Sequence, residues 1–310
     1  MSSDQSITIG KLDSVTKTYG TRTALRDVTL TFSRGVTGLL GPNGSGKSTL
    51  IKSLLGLVRA DDGTGEVLGL KWPEDTRKLR DRVGYLPEDD CYIHGLQGIE
   101  SIQMMARLSG FNKTEALRRA HEMADFCDLA QERYRTVETY STGMRQKLKV
   151  AQALVHDPEL IILDEPTTGL DPAQRQQLLD RISVLAKEKG KSIILSTHIL
   201  HDVQRVCDHV IILAGGQVRR VDTLANLQRP SQESLRVAVV ADASQLHRVL
   251  VKRGIQAELT SPQDLVVYGS PDETCEIWKA SHEAKVMIQR IEPAKNSLEQ
   301  LFLDVVRESK

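Results

Sequence analysis

The sequence predicts an α/β fold in two parts, a large domain over residues 1–222 and a small α+β accessory domain over residues 235–310. In the first part, short apolar strands bounded by glycine alternate with helical patterns, which is typical of a mostly parallel sheet with helices on its faces. A nearly all-helical segment, about residues 97–153, is predicted to be an insertion between strands. The polar stretch 223–234 is interpreted as a linker between the two domains.

The spacing of apolar residues predicts both the helical insertion and the accessory domain. In the insertion, apolar side chains recur at helical intervals, at Ile102, Met105, Leu108, Ala116, Ala120, Met123 and Cys127. The later pattern predicts the order β-α-β-β-α-β and one more helix, as in the split βαβ pattern of ferredoxin-like domains. Its predicted segments are Leu235–Val239, Ala243–Arg253, Ile255–Leu259, Leu265–Val267, Pro271–Ser281, Val286–Ile291 and Ser297–Val306. No cluster of reactive side chains accompanies this pattern, so it predicts no function by itself.

A glycine-rich loop stands between a predicted strand, residues 36–40, and a predicted helix. The loop and helix start read Gly41, Pro42, Asn43, Gly44, Ser45, Gly46, Lys47, Ser48 and Thr49. Such a loop directs backbone N–H groups and a helix N-terminus at one point, while Lys47 reaches the outer phosphates and Ser48 offers a hydroxyl to Mg²⁺. The motif therefore predicts binding of a nucleoside triphosphate. The alternative, a glycine turn before an ordinary helix, is disfavoured by the strand-loop-helix context.

Two adjacent carboxylates end a short apolar run later in the chain. Residues 160–163 have the composition and length of a buried strand, and Asp164 and Glu165 follow directly. Phosphoryl transfer requires Mg²⁺ near the phosphates and a water that is oriented or deprotonated, and the two acids can divide these tasks. A lone Asp-Glu pair more often marks a strand that ends in solvent. Beside a phosphate-binding loop, the catalytic interpretation is favoured.

Composition and charge narrow the class of protein. The 310 residues carry 41 Lys+Arg and 41 Asp+Glu, so no basic excess indicates a nucleic-acid partner. No apolar run approaches the roughly 20 residues that cross a bilayer, and the N-terminus lacks the regions of a signal peptide, so a membrane role requires a membrane partner. The cysteines are scattered without paired spacing, which favours the reducing cytosol over a structural metal site; they are Cys91, Cys127, Cys207 and Cys275.

Over about its first 222 residues, the chain resembles the ATP-binding-cassette (ABC) ATPases. Residues 140–147 resemble the family signature usually written Leu-Ser-Gly-Gly-Gln, in the Ser-x-Gly-Met form of some exporter subfamilies. They depart from the commonest form at Tyr140, Thr142 and Met144. Ser141 and Gly143 keep the serine and the second glycine, and the resemblance implies that they face ATP on the opposite subunit. A plain serine N-cap is compatible with this role, because a helix N-terminus is itself an anion site.

Further elements match the family in order and approximate spacing. Residues 169–171, Gly-Leu-Asp, resemble the D-loop of the dimer interface, although alone they would be a common turn. His198 ends another predicted strand and matches the family's switch histidine, which contacts the terminal phosphate and the attacking water; a single His is otherwise usually structural. Tyr19 fits the aromatic residue that stacks on adenine, with a strand tyrosine before a turn as the alternative.

Glu88 departs from the commonest family pattern. It aligns with a glutamine that touches Mg²⁺ and water and leads into the surface that meets the transporter. A carboxylate is a stronger ligand for a hard cation but adds negative charge near the triphosphate. Some ABC exporter subfamilies carry this Glu, and a solvent-exposed acid is the alternative. The nearby Cys91 and His94 are too few for a soft-metal site.

The resemblance implies the nucleotide-binding subunit of an ABC transporter, an ATPase that binds MgATP at two shared sites in a head-to-tail dimer. In this interpretation Asp164 organises Mg²⁺, Glu165 acts as general base and His198 positions the water. A separate integral-membrane permease is expected, so the subunit would lie on the cytoplasmic face of the cell membrane. Glu88, the signature form and residues 297–303 resemble the ABC-2 exporter type. The sequence leaves open the cargo and whether the second cassette is an identical chain.

Two other classes compete with the transporter interpretation. A soluble ABC ATPase of translation or DNA repair usually carries two cassettes or a long coiled-coil insertion, and this sequence has neither. A small-molecule kinase would also use the glycine-rich loop. For a kinase, however, the resemblances at Ser141, Asp171 and His198 would be coincidences.

Overall fold

The computed structural model describes residues 7–90, 92–229, 234–269, 274–294, 298–299 and 301–302. These residues form two compact units. The second unit is Ala225–Leu301, and Phe302 belongs to the first unit with the residues up to Leu224. The predicted domain bounds, 1–222 and 235–310 with a linker over 223–234, stay predictions. Cys91 lies outside the described residues.

The strands, in chain order, are β1 Thr8–Tyr19, β2 Arg22–Ser33, β3 Val36–Leu40, β4 Asp62–Val67, β5 Leu70–Trp72, β6 Val83–Leu86, β7 Leu160–Asp164, β8 Ser192–Thr197, β9 His209–Ala214, β10 Gln217–Thr223, β11 Ser234–Val239, β12 Ala257–Ser261, β13 Asp264–Tyr268 and β14 Ile288–Pro293. The helices are α1 Lys47–Leu54, α2 Thr76–Arg80, α3 Gly98–Leu108, α4 Lys113–Phe126, α5 Thr142–Leu154, α6 Pro172–Lys187, α7 Leu200–Val206, α8 Leu224–Leu227, α9 Ala243–Lys252 and α10 Thr274–Ala284. Short 3₁₀ turns span Ala130–Tyr134 and Val137–Thr139.

The central sheet has the strand order β10-β9-β3-β8-β7-β6. From β9 to β6 every neighbouring pair is parallel, and β10 pairs antiparallel with β9. All residues of β3 and β7 are buried, as expected for strands covered on both faces. The predicted α/β fold with a mostly parallel sheet is confirmed. Its parallel strands end at one edge, where the glycine-rich loop also begins.

A smaller antiparallel sheet, β2-β1-β4-β5, shares an apolar core with the central sheet. Leu50 and Leu54 of α1 belong to the same buried cluster as Phe32 of the small sheet and Ile162 of the central sheet. The helix that follows the glycine-rich loop is therefore held by packing along its length. This packing fixes the position of its N-terminus.

The segment between β6 and β7 is mostly helical, as its spacing predicts, and contains α3, α4 and α5. α3 begins with a capping box, in which Gln97 and Glu100 satisfy each other's backbone N–H groups. Asn112 caps α4 by accepting from the N–H of Glu115. Ala116, Ala120 and Ala124 form the fully buried face of α4, so this insertion has its own packed interior.

The second unit contains an antiparallel sheet of order β12-β13-β11-β14 with α9 and α10. This is the arrangement that the split βαβ pattern predicts. Its core includes Val237, Leu246, Leu250, Leu265 and Ile277. Of the predicted last helix, residues 298–299 and 301–302 are helical, and the others lie outside the described residues.

The predicted linker 223–234 is not simply a polar connection. It contains α8, Leu224–Leu227, and Leu227 is buried. The polar composition of this stretch concealed two leucines three residues apart, which share one face of a helical turn. Residues 230–233 lie outside the described part of the chain.

Leu246→Ala is expected to lower the free energy of unfolding of the accessory unit by about 2–5 kcal/mol, because it leaves a cavity in a fully buried core. Leu259→Ala is the matched control, since Leu259 is 40% exposed in the same unit. Denaturant unfolding followed by circular dichroism measures both changes. Equal losses for the two variants would contradict this description of the core.

Candidate nucleotide-binding site

Neighbouring parallel strands bring the predicted site residues to one edge of the central sheet. Asp164, the last residue of β7, lies opposite Ser196 of β8. Leu40, the last residue of β3, lies opposite Thr197 of β8. The residues that follow these strands therefore meet at the carboxyl edge, which is where open α/β sheets bind ligands.

The glycine-rich loop requires glycine at two positions for steric reasons. A Cβ at Gly41 would lie 2.3 Å from the carbonyl oxygen of Leu213. Gly46, the N-cap of α1, has φ of 109°, and a Cβ there would lie 2.6 Å from the carbonyl oxygen of Ala24. Within the loop, the N–H of Ser45 donates to the carbonyl of Pro42 at 3.1 Å. The loop thus turns tightly into the N-terminus of α1, which can receive an anion.

Lys47 is a buried cation at the start of α1. Its Nζ donates to the carbonyl oxygen of Gly41 at 2.8 Å and to that of Pro42 at 3.4 Å. The same Nζ lies 3.7 Å from Oε1 of Glu165. Burial lowers the pKa of Lys47, and the negative charges of Glu165, Asp164 and Glu88 oppose that change. A phosphate next to this ammonium would supply a further favourable charge.

Glu165 occupies a strained turn directly after β7. Its φ is +50°, an unusual value for a residue with a side chain, and its N–H donates to the carbonyl of Ser196 at 3.0 Å. Its Oε2 lies 3.0 Å from Nδ1 of His198, while its Oε1 faces Lys47. Backbone strain of this kind is concentrated at functional sites. The predicted base and the predicted switch histidine are therefore in direct contact.

Asp164 is almost completely buried, and within the described part of the chain its Oδ1 has no hydrogen-bond partner. Burial raises the pKa of Asp164, while the nearby hydroxyls of Ser196 and Ser48 oppose that rise. A buried carboxylate oxygen without a partner is costly unless a ligand satisfies it. Oxygen donors of this kind suit a hard cation such as Mg²⁺, so Asp164 and Ser48 fit that ion.

A cavity of about 620 Å³ opens in front of the glycine-rich loop. Its lining residues are Tyr19, Arg22, Ala24, Asn43, Gly44, Gly46, Lys47, Ser48, Thr49, Lys52, Glu88 and Glu165. Of these residues, Arg22 and Lys52 were not predicted from the sequence. Their positions in the sequence could have indicated both residues. Arg22 lies across a two-residue turn from Tyr19, and Lys52 lies one helical turn after Ser48. These two cations add to the positive charge that faces a triphosphate.

Tyr19 and Glu88 stand at the open rim of the cavity. Tyr19 is 47% exposed, and Nζ of Lys17 lies 5.3 Å from the centroid of its ring. The Glu88 loop follows β6 and is held by Lys149 of α5, whose Nζ donates to the carbonyls of Pro87 and Glu88, both at 3.1 Å. Lys149 is thus a third residue of the site, after Arg22 and Lys52, that was not predicted from the sequence.

Ser141 and Gly143 are not among the described residues that line the cavity. Ser141 caps α5 and accepts a hydrogen bond from the N–H of Met144 at 3.3 Å. Gly143 faces Gln174 of α6, whose Oε1 would lie 2.4 Å from a Cβ at position 143. Asp171 caps α6 by accepting from the N–H of Gln174 at 2.9 Å. The roles predicted for Ser141 and Gly143 on another subunit stay predictions.

No group of three or more His, Cys, Asp or Glu side chains in the described part of the chain is arranged to hold a metal ion. No helix there is long and apolar enough to cross a membrane.

The ABC transporter family model matches residues 25–168. Over 305 residues the chain is 30% identical to an uncharacterized ABC transporter ATP-binding protein of Bacillus subtilis, YhcH, covering 98% of this chain and 97% of the relative. An uncharacterized relative from Synechocystis is 42% identical over 207 residues, which cover 66% of this chain and 58% of the relative. The Nod factor export ATP-binding protein I of Cupriavidus pinatubonensis is 37% identical over 67% of this chain, which spans 64% of that protein.

A solved structure of a dimeric ATP-binding cassette, in a post-hydrolysis state with ADP and Pi, matches with a TM-score of 0.65 and 25% identity. The match covers 69% of this chain and 98% of the solved cassette. The near-complete match to YhcH and the geometry around Lys47 and Glu165 agree on one family. The chain belongs to the ABC transporter ATP-binding proteins and is an ATP-hydrolysing subunit of an ABC transporter.

Proposed function

We propose that this subunit binds MgATP at two shared sites in a head-to-tail dimer and thereby drives a separate integral-membrane permease in export. One observation carries the proposal: Lys47 and Glu165 line the cavity and contact each other, and Glu165 also contacts His198. This geometry supports hydrolysis of a triphosphate with little movement of the catalytic side chains. The proposed position of the subunit is the cytoplasmic face of the cell membrane.

The triphosphate is bound by backbone and cationic groups of the cavity. The backbone N–H groups of Asn43, Gly44 and Gly46 and the N-terminus of α1 face the phosphates, and Lys47 approaches the outer ones. Arg22 and Lys52, which also line the cavity, supply further positive charge. Tyr19 presents its ring at the rim, where stacking on adenine gives affinity with little base specificity.

Hydrolysis requires a base beside the terminal phosphate. Glu165 accepts the proton of the attacking water, and His198, 3.0 Å from its Oε2, orients that water. When bound, Mg²⁺ neutralises phosphate charge, and Ser48, Asp164 and Glu88 are the proposed residues that hold it. Lys47 balances the charge of Glu165 until the phosphate arrives.

A second cassette completes each site in this proposal. Ser141 and the bare backbone of Gly143 stand at the N-terminus of α5, where unpaired N–H groups can meet a phosphate. Asp171 fixes the start of α6 near that helix. The dimeric state of the solved cassette supports this arrangement.

A groove of about 450 Å³ beside the Glu88 loop is the proposed docking surface for the permease. Its lining residues are Tyr85, Pro87, Tyr92, Ile93, Met105, Ser109, Lys149, Gln152, Ala153 and His156. Pro87 belongs to both the groove and the loop that carries Glu88, so docking there would reach the ATP site directly. The name of the Nod factor export relative supports an exporter.

Glu165→Gln should still bind ATP but hydrolyse it about 10²- to 10⁴-fold more slowly, because the amide cannot accept the proton of the water. Glu188→Gln, at the exposed end of α6, is the matched control and should hydrolyse ATP normally. Phosphate release and nucleotide affinity are measured on both variants. Normal turnover by Glu165→Gln would exclude Glu165 as the base.

Lys47→Ala should lose nucleotide affinity, because it removes the buried cation closest to the phosphates and leaves Glu165 without its counter-charge. Lys187→Ala, on the exposed end of α6, serves as the control. Titration with a fluorescent ATP analogue gives both dissociation constants, and thermal unfolding verifies that each variant is folded. If Lys47→Ala keeps the original affinity, the proposed phosphate site is wrong.

Ile93→Glu should reduce association with the permease, because Ile93 is half-exposed in the apolar groove. In the test, Ile93→Glu is combined with a tagged Glu165→Gln variant and expressed in the native host. The complex is stabilised with MgATP, the membranes are gently solubilised, and the proteins that co-purify are identified. Leu57→Glu, equally exposed but outside the groove, is the control. Capture of a protein with several spanning segments by the control alone supports the proposal. Capture of ribosomes or DNA would instead favour the soluble ABC ATPases.

A further inference from the structure

Asp202 is a completely buried carboxylate near the candidate site, and its two oxygens have different partners. Oδ2 accepts a hydrogen bond from Oγ1 of Thr167 at 2.6 Å, and Oδ1 accepts one from Nε of Arg175 at 2.6 Å. Both bonds are short, as expected when the acceptor is ionised. A buried charge at this position is stable only because both oxygens are paired.

Asp202 and its two partners lie on three different elements. Thr167 lies two residues after Glu165, in the strained turn that follows β7. Arg175 lies in the first turn of α6, which Asp171 caps. Asp202 itself lies in the first turn of α7, four residues after His198. A single side chain therefore joins the turn that carries Glu165 to the helix that follows His198.

We propose that Asp202 is a positioning residue for hydrolysis, which holds Glu165 and His198 in their mutual orientation through Thr167 and Arg175. The proposal rests on the roles proposed above for Glu165 and His198. Glu165 needs this support because its φ of +50° is strained, and bonds such as the one from its own N–H to the carbonyl of Ser196 hold only the backbone of the turn. Without the Asp202–Thr167 bond, the turn can relax and move the carboxylate away from the phosphate.

Thr167→Val tests this role, because valine has the shape of threonine but cannot donate a hydrogen bond. Its kcat should fall about 10- to 100-fold, as expected for a displacement of about 1 Å in a catalytic group, while its dissociation constant for ATP stays unchanged. Thr167→Ser keeps the hydroxyl and should restore most of the rate. A merely structural bond would lower the midpoint of thermal unfolding in Thr167→Val without this selective loss of kcat.

A second variant pair tests the other arm of the network. Arg175→Leu should lower kcat, whereas Arg175→Lys, which can still donate to Asp202, should lower it less. If Thr167→Val or Arg175→Leu fails to fold, the remaining pair decides the question. Wild-type kcat in both Thr167→Val and Arg175→Leu would overturn the proposal.

The hydrolysis rate of the double variant Thr167→Val/Glu165→Gln distinguishes a failure of this inference from a failure of the proposed catalytic role of Glu165. If Asp202 acts through Glu165, adding Thr167→Val to Glu165→Gln should not lower the residual rate any further. A full additional loss would show that Thr167 acts independently and would overturn the inference. If Glu165→Gln alone hydrolyses ATP normally, the proposed catalytic role of Glu165 fails first, whatever the effect of Thr167→Val.

Discussion

The close approach of Lys47 to Glu165 depends on the parallel pairing of β3, β7 and β8. The register places Leu40 beside Thr197 and Asp164 beside Ser196, so the loops after these strands begin at the same level. Opposite charges then meet in a buried setting, where each is costly alone and stabilising to the other. A one-residue change in this register would separate the lysine from the carboxylates and remove the site.

The same edge explains why the site is prepared for a charged ligand. Lys47 is satisfied by loop carbonyls and by Glu165, whereas Oδ1 of Asp164 has no hydrogen-bond partner within the described residues. Arg22 and Lys52 face the cavity from the turn after β1 and from α1. A triphosphate with its cation would satisfy these groups together. Binding of the substrate would thus remove the free-energy cost of burying polar and charged groups without partners.

Sequence patterns predicted the parts of the molecule whose signals are local. The strand, glycine-rich loop and helix around Lys47 are contiguous, as are the strand and acids at Asp164, and both lie where the pattern put them. Contacts between distant segments gave no such signal: Lys149 is 61 residues from Glu88, and Asp202 is 35 residues from Thr167. α8 was not predicted, because its two leucines stand in a stretch whose overall composition is polar. The sequence pattern of the second unit predicted the order of its elements. It did not show which strands pair with each other, which only the structure shows.

These residues are proposed to form an ATP site that a second cassette completes. A structure of Glu165→Gln solved with MgATP is the most direct test. We expect ATP with its terminal phosphate at Lys47 of this chain and at Ser141 and Gly143 of a second cassette. ATP bound at Lys47 with no second signature loop across from it would contradict the shared site, and ATP bound elsewhere would contradict the site itself.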